Sequence, residues 1–294
     1  MIMRPNHFGL TRASFSRHMS STTAWRAIDK SCAVTGAGSG IGRALCGALA
    51  NAGARSVLCM DLDIASAQKT VDMLAVEAPN CAFQVERCDA SNHSSLVSAL
   101  RTANHPIDLF CANAGVATVG DCSAADAAWQ KTWELNVMQT VWAADELVPS
   151  MAARGGGAIL VTASAAGLLT QLGSAPYAVT KHAAVGLAEW LAITYGEAGL
   201  AVCCVCPQGV NTPMITAAPT DGDSAVVTNA ASVDGLLEAE EVAAEALQCL
   251  AEGRFLCMPG DERGPAKHVL RKGADRERWI VGMRRLQAKL APKS

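Results

Sequence analysis

The sequence predicts an α/β fold: one domain built on a doubly wound, seven-stranded parallel sheet with helices on both faces. Three observations predict it. From Lys30 onward, short apolar runs alternate with longer amphipathic ones, the order of successive β–α units. The short runs are near-continuously apolar, as in strands buried on both faces. A glycine-rich stretch, TGAGSGIG at 35–42, falls where the first strand hands over to the first helix.

The elements follow in order. SCAVT (31–35) reads as a buried strand, and IGRALCGALANAG as a helix stopped at Gly53. SVLCMD is the second strand, and Asp63 to Ala78 the second helix, closed by Pro79. CAFQVERCD is the third strand, with a helix from about Asn92 to Ala103 behind it. IDLFCANAG is the fourth strand. One long helix is expected over Asp126 to Ala153, then GGAILVTAS as the fifth strand. A second long helix covers Ala175 to Glu197, and LAVCCVCP is the sixth strand. Residues 237–252 read as a helix and RFLCM as the seventh strand. The unbroken β–α rhythm places a single domain at 28–260, between an N-terminal extension (1–27) and a basic C-terminal segment (261–294). Thr212 to Gly235 shows no period and is expected to form a lid or binding loop.

Composition narrows the function classes. Half of the 294 residues are apolar and 17% are charged, enough for a sizeable core. No apolar run reaches the ~18 residues of a membrane span. Among 12 cysteines the only CxxC spacing is Cys203 to Cys206, and in an extended strand those two point to opposite faces. The six histidines do not cluster with them, so no metal site is expected, and the cysteines read as small buried hydrophobes.

The net charge of −3 conceals a basic end at each terminus. Residues 1–30 hold five Lys/Arg against one Asp, residues 261–294 ten against four, and the middle is strongly acidic. An acidic body argues against nucleic acid as a partner. In the C-terminal segment Trp279, Ile280, Met283 and Leu286 fall at helical spacing. It reads as a docked helix with a solvated basic face, or as a contact for an acidic neighbouring subunit or membrane surface. The first 28 residues lack Asp and Glu and carry Arg4, Arg12, Arg17 and Arg26 among Ser and Thr. That composition fits a mitochondrial transit peptide, or an extension ahead of a true start at Met19. The expected location is cytoplasmic, or mitochondrial if that segment directs import.

The chemistry begins at the glycine loop. Gly36, Gly40 and Gly42 allow a tight turn and a close backbone approach to a pyrophosphate at the N-terminus of the helix. The second strand ends at Asp61, a carboxylate able to accept from both hydroxyls of an adenosine ribose and to repel a 2′-phosphate. With Ser39 rather than a cation in the loop, NAD is favoured over NADP.

A second pattern is Tyr177 with Lys181, one of only two tyrosines and a lysine four residues on. On a helix they share a face. An ammonium about 4 Å from a phenol contributes roughly 4 kcal/mol at an effective dielectric of 20. That equals about three pKa units, enough to bring the phenol near 7.

These motifs together resemble the short-chain dehydrogenase/reductase family. The loop has its TGxxxGxG spacing, and the remaining parts follow in order: NAG (Asn113, Ala114, Gly115), LNV with Asn136, Ser164 at the end of the fifth strand, YAVTK with Tyr177 and Lys181, and PQGVNTPM after the sixth. The resemblance covers about residues 30–260 and implies a single-domain Rossmann fold with NAD bound.

By this resemblance, Asn136, Ser164, Tyr177 and Lys181 are catalytic. Tyr177 exchanges a proton with the substrate oxygen, Ser164 orients that oxygen, Lys181 also holds the nicotinamide ribose, and Asn136 anchors a proton-relay water. The cofactor set is Gly36, Ser39, Gly40, Ile41, Gly42, Asp61, Asp89, Ala90, Asn113, Ala114, Gly115, Tyr177, Lys181, Pro207, Gly209, Val210 and Thr212. Gln208 stands where the family has glycine and, with Gln171, Met214 and Asn211, is a candidate substrate contact.

The implied activity is NAD(H)-dependent interconversion of a secondary alcohol and a ketone on a largely apolar small molecule. The alternatives are an NADP-dependent carbonyl reductase and a catalytically idle NAD-binding scaffold. An epimerase or dehydratase is disfavoured by the glycine spacing and the short stretch after the seventh strand. The helices at 126–153 and 175–197 imply a homodimer or homotetramer.

Overall fold

The computed structural model describes residues 24–216, 235–260 and 265–290. The proposed lid between 212 and 235 therefore lies mostly outside the described residues, as does most of the N-terminal extension.

Seven parallel strands form one sheet in the order β3-β2-β1-β4-β5-β6-β7. They are β1 (Ser31–Thr35), β2 (Ser56–Asp61), β3 (Ala82–Arg87), β4 (Leu109–Ala112), β5 (Gly157–Thr162), β6 (Leu200–Val205) and β7 (Leu256–Cys257). β1, β4, β5 and β6 are buried along their whole length, which is why their sequences are apolar without alternation. β3, at the edge, is only partly buried and carries Gln84, Glu86 and Arg87.

Helices cover both faces. α1 (Gly40–Asn51), α2 (Ile64–Glu77) and α8 (Ala239–Ala251) pack on one side. α3 (His93–Arg101), α5 (Gln139–Ala153) and α6 (Ala175–Tyr195) pack on the other. Cys203 faces the first layer while Cys204 and Cys206 face the second, as the strand period requires. Eleven of the twelve cysteines are buried and only Cys122 is exposed. Among the described residues no group of His, Cys, Asp or Glu is placed to hold a metal ion, and no helix is long and apolar enough to cross a membrane.

One helical expectation is refined and one needs correction. The segment expected as a helix over Asp126 to Ala153 is helical throughout, but α4 (Asp126–Trp133) passes through a π turn at Glu134–Met138 into α5. The C-terminal segment is two helices, α9 (Pro265–Ala274) and α10 (Arg276–Leu290), not one. They divide at Asp275, whose side chain accepts from the Arg278 N–H at 2.8 Å and so starts the second helix. A short α7 (Pro213–Thr216) precedes the undescribed stretch.

The strand order reverses direction between β1 and β4. In such sheets the crevice for a ligand opens at the carboxyl ends of the strands on either side of that point.

Candidate active site

A cleft of about 1050 Å³ lies at those carboxyl ends. Its volume is at the upper end of the range for small-molecule sites.

On one side it is walled by the glycine loop, with Gly36, Ser39, Gly40 and Ile41 on the surface. Gly36 has φ +68°, and a Cβ on Gly42 would lie 1.9 Å from the Gly36 carbonyl oxygen. The loop and the first turn of α1 therefore touch backbone to backbone. No side chain caps the N-terminus of α1, and its first turn has no acidic residue. Its unsatisfied N–H groups face the cleft and suit a phosphate. Asp61 sits beside the loop, its Oδ2 accepting from the Gly38 N–H at 2.8 Å. Asp89 and Ala90 follow β3 outside the cleft, and Asp89 Oδ1 accepts from the backbone and hydroxyl of Ser91 at 3.0 and 2.6 Å.

The loop is fixed from below by a buried polar cluster that sequence reasoning missed. Thr35 Oγ1 donates to Gln139 Oε1 at 2.9 Å and accepts from the N–H groups of Asn113 and Ala114, each at 3.0 Å. Gln139 Nε2 donates to the carbonyls of Ala114 and Leu135. Asn113 Nδ2 donates to the Thr35 carbonyl at 3.0 Å, and its Oδ1 accepts from Thr162 Oγ1 at 3.1 Å. These bonds tie the ends of β1, β4 and β5 together. A glutamine at 2% exposure was the signal, but its burial is invisible in the sequence.

Ser164, Tyr177 and Lys181 all line the cleft. Ser164 Oγ accepts from the Ala166 N–H at 3.1 Å, starting a short 3₁₀ turn. Tyr177 stands in the first turn of α6, with Pro176 ahead of it in a position that suits proline. Lys181 is 4% exposed; its Nζ donates to the Thr162 carbonyl at 2.8 Å and lies 5.5 Å from the centre of the Tyr177 ring. Asn136 is buried in the π turn. It donates to the Val116 carbonyl and to Thr180 Oγ1, both at 3.0 Å, and accepts from the Val116 N–H at 2.9 Å. π turns inside α-helices commonly mark functional sites.

The electrostatics differ from the sequence expectation. Burial pushes the Lys181 ammonium down to about 8. Burial also raises the Tyr177 phenol above its ordinary value, with a hydrogen bond to Ser164 pulling the other way. The expected fall of the phenol toward 7 is thus not met by Lys181 in the protein alone. The Coulomb argument omitted desolvation, which dominates here.

Beyond β6, Pro207, Gln208, Gly209, Val210 and Thr212 line the cleft, as do Gln171 and Met214. Asn211 turns away: its Nδ2 donates to both carboxylate oxygens of Glu238 at 3.2 Å. Asn211 is therefore not among the residues that the structure places on the cleft wall. His182 is not among the lining residues; its Nδ1 bonds the Ala178 carbonyl at 2.8 Å and its Nε2 lies 3.3 Å from Lys272 Nζ.

Comparison with known proteins decides the family. The model of the short chain dehydrogenase family matches residues 30–222. The chain belongs to the short-chain dehydrogenases. It is 30% identical over 192 residues to a cyclohexanol dehydrogenase of an Acinetobacter strain, a match spanning 64% of this chain and 75% of that one. It is 29% identical over 258 residues to a momilactone A synthase of Oryza sativa, spanning 83% and 91%. A short-chain dehydrogenase from Burkholderia phymatum in complex with NAD superposes with a TM-score of 0.77 at 27% identity, over 86% of this chain and 96% of that one. An L-sorbose reductase from Gluconobacter frateurii complexed with NADPH gives 0.70 at 26% identity, over 79% and 95%. This short-chain dehydrogenase is accordingly an oxidoreductase of a nicotinamide-binding family with alcohol dehydrogenases among its relatives.

Proposed function

We propose that this short-chain dehydrogenase interconverts a secondary alcohol and a ketone with NAD(H), on a substrate whose body is largely apolar. One observation carries the choice of cofactor. Asp61 points its carboxylate at the glycine loop, 2.8 Å from the Gly38 N–H, where it favours ribose hydroxyls and repels a 2′-phosphate. The uncapped start of α1 receives the pyrophosphate, with Ile41, Gly42 and Ala114 shaping its bed. Asp89 and Ala90 border the adenine, and Pro207, Gly209, Val210 and Thr212 the nicotinamide end. The bound cofactor supplies the hydride acceptor or donor.

The chain supplies the proton and the orientation. Tyr177 takes the hydroxyl proton in oxidation and returns it to the forming alkoxide in reduction. Ser164 holds the substrate oxygen toward the phenol. The positive charge of Lys181, together with that of the oxidised cofactor, favours the phenolate against its burial. Asn136 has both side-chain groups engaged with Val116 and Thr180, so it acts by fixing the π turn beside Lys181. Gln171, Gln208 and Met214 face the substrate, alongside Leu169, Leu172 and Ile215.

The exposed Trp133, Val179, Trp190 and Ile193 on α4 and α6 support assembly into a homodimer or homotetramer. A monomeric mass by light scattering at micromolar protein would refute that assembly.

The test titrates wild type and Tyr177→Phe with NADH and NADPH by fluorescence, then screens secondary alcohols. NADH is expected to bind at least about tenfold more tightly than NADPH. Tyr177→Phe is expected to retain NADH and to lose turnover by about 10²–10⁴. Tighter NADPH binding would overturn the reading of Asp61. A Tyr177→Phe variant that keeps its turnover would overturn the assignment of the proton transfer.

A further inference from the structure

The two C-terminal helices form one wall of the cleft. α9 brings Arg271 to it, and α10 brings Arg278, Trp279, Met283 and Leu286. The last four positions lie on one face of a helix. Ile280, expected in the same stripe, instead lies off the cleft and is 44% exposed.

The wall is fastened, not merely adjacent. Lys272 Nζ donates to the carbonyls of Leu168 and Leu169 at 2.6 and 2.7 Å, in the segment that follows Ser164. His268 and Trp279 pack ring against ring at 6.1 Å and join the two helices.

The charges on this wall are unbalanced. Among the described residues, Asp275 is the one carboxylate lining the cleft, and its Oδ1 already accepts from the Arg278 backbone. The lining cations among them are Lys181, Arg271 and Arg278. Lys181 stands apart from this wall, on α6, with its Nζ on the Thr162 carbonyl at the end of β5. Among the described residues, the ion pairs involve neither Arg271 nor Arg278. Two guanidinium groups thus stand on the wall that also presents Trp279, Met283 and Leu286. A planar fork of N–H donors matches a carboxylate, and an apolar surround strengthens that match.

We propose that the substrate is an amphiphile: an apolar body with the reacting alcohol or ketone near Tyr177, and a terminal carboxylate received by Arg271 and Arg278. The inference rests on the oxidoreductase reading of the cleft and extends it to a substrate class.

The test compares medium-chain secondary hydroxy fatty acids with their methyl esters, the same skeleton with and without the charge. The acid is expected to exceed the ester in kcat/KM by at least about tenfold at low salt. The ratio should shrink as salt screens the exposed guanidinium groups. Arg271→Gln and Arg278→Gln should each carry the ratio toward one. Arg284→Gln and Arg285→Gln, on α10 with Arg278 but not among the lining residues, should leave it unchanged. The urea unfolding midpoint reports an intact fold in every variant. A preference for the ester, or a ratio unmoved by both cleft variants, overturns the proposal. So does weakened NADH binding in those variants, which would assign the guanidinium groups to the cofactor.

A second readout needs no turnover: calorimetric binding of a saturated medium-chain fatty acid and its methyl ester to the NADH complex. Arginine-dependent preference for the acid without turnover of any alcohol would keep the assignment of the wall and sink the oxidoreductase reading. Turnover of alcohols without such preference would do the reverse.

Discussion

Lys181→Met is expected to stabilise the cofactor-free protein at pH 7 while abolishing its activity. The ammonium is 4% exposed, and burial takes it from the ordinary 10.5 to about 8. At ~1.36 kcal/mol per pH unit, holding the charge costs the folded state about 3 kcal/mol. Methionine keeps most of the bulk and loses the bond to the Thr162 carbonyl, at a cost of about 1–2 kcal/mol. The variant should therefore be more stable by about 1–2 kcal/mol at pH 7.

The sign reverses with pH. Lys181 is a base with a depressed folded-state pKa. Below about 8 both states carry the proton and the penalty is complete. Between there and 10.5 the folded protein releases a proton that the unfolded chain keeps, so wild-type stability gains on the variant as pH rises. Above 10.5 only the lost hydrogen bond remains, and the wild type is the more stable. Urea unfolding of both proteins with reductant, at neutral pH and near pH 10, reads the difference directly. A variant less stable than wild type at pH 7, or a difference that does not move across this interval, would refute the reasoning.

Other consequences are simpler. Gly42→Ala puts a methyl 1.9 Å from the Gly36 carbonyl. It should destabilise the protein by roughly 1–3 kcal/mol or more in urea, and weaken NADH binding in a fluorescence titration. Gln139→Leu takes the amide donor from the Ala114 and Leu135 carbonyls and leaves the Thr35 hydroxyl only the longer bond to the Cys111 carbonyl at 3.3 Å. It should cost about 3 kcal/mol in the same unfolding assay. Cys122 is the one exposed thiol of twelve, so a thiol reagent should label the native protein once and the unfolded protein fully, counted by mass.

The parts legible in the sequence are those whose evidence is local. The glycine loop, NAG and YxxxK each sit within a few residues, and the apolar runs that mark β1, β4, β5 and β6 need no knowledge of their neighbours. What was not legible depends on contacts far apart in the chain. The π turn exists where Asn136 reaches Val116 and Thr180, 20 and 44 positions away. Gln139 meets Thr35 across 104 positions. Helical spacing showed that the C-terminal segment has an apolar stripe, but not that it roofs the cleft. That follows from Lys272 bonding Leu168 and Leu169 across 104 and 103 positions.

The direction of the Tyr177 phenol was misjudged for a related reason. Spacing gives the separation of two side chains on a helix, but burial belongs to the whole fold. The structure also explains why Lys181 keeps a cost that a nearby carboxylate would have removed. Its partner is the Thr162 carbonyl, a dipole, at 2.8 Å. An Asp or Glu there would hold the ammonium more firmly and cancel its field at the phenol 5.5 Å away. A cation satisfied by a dipole keeps its net charge available to its surroundings. The stability lost at Lys181 and the field it offers its surroundings both depend on its net charge, so a change that neutralises Lys181 to gain the first gives up the second.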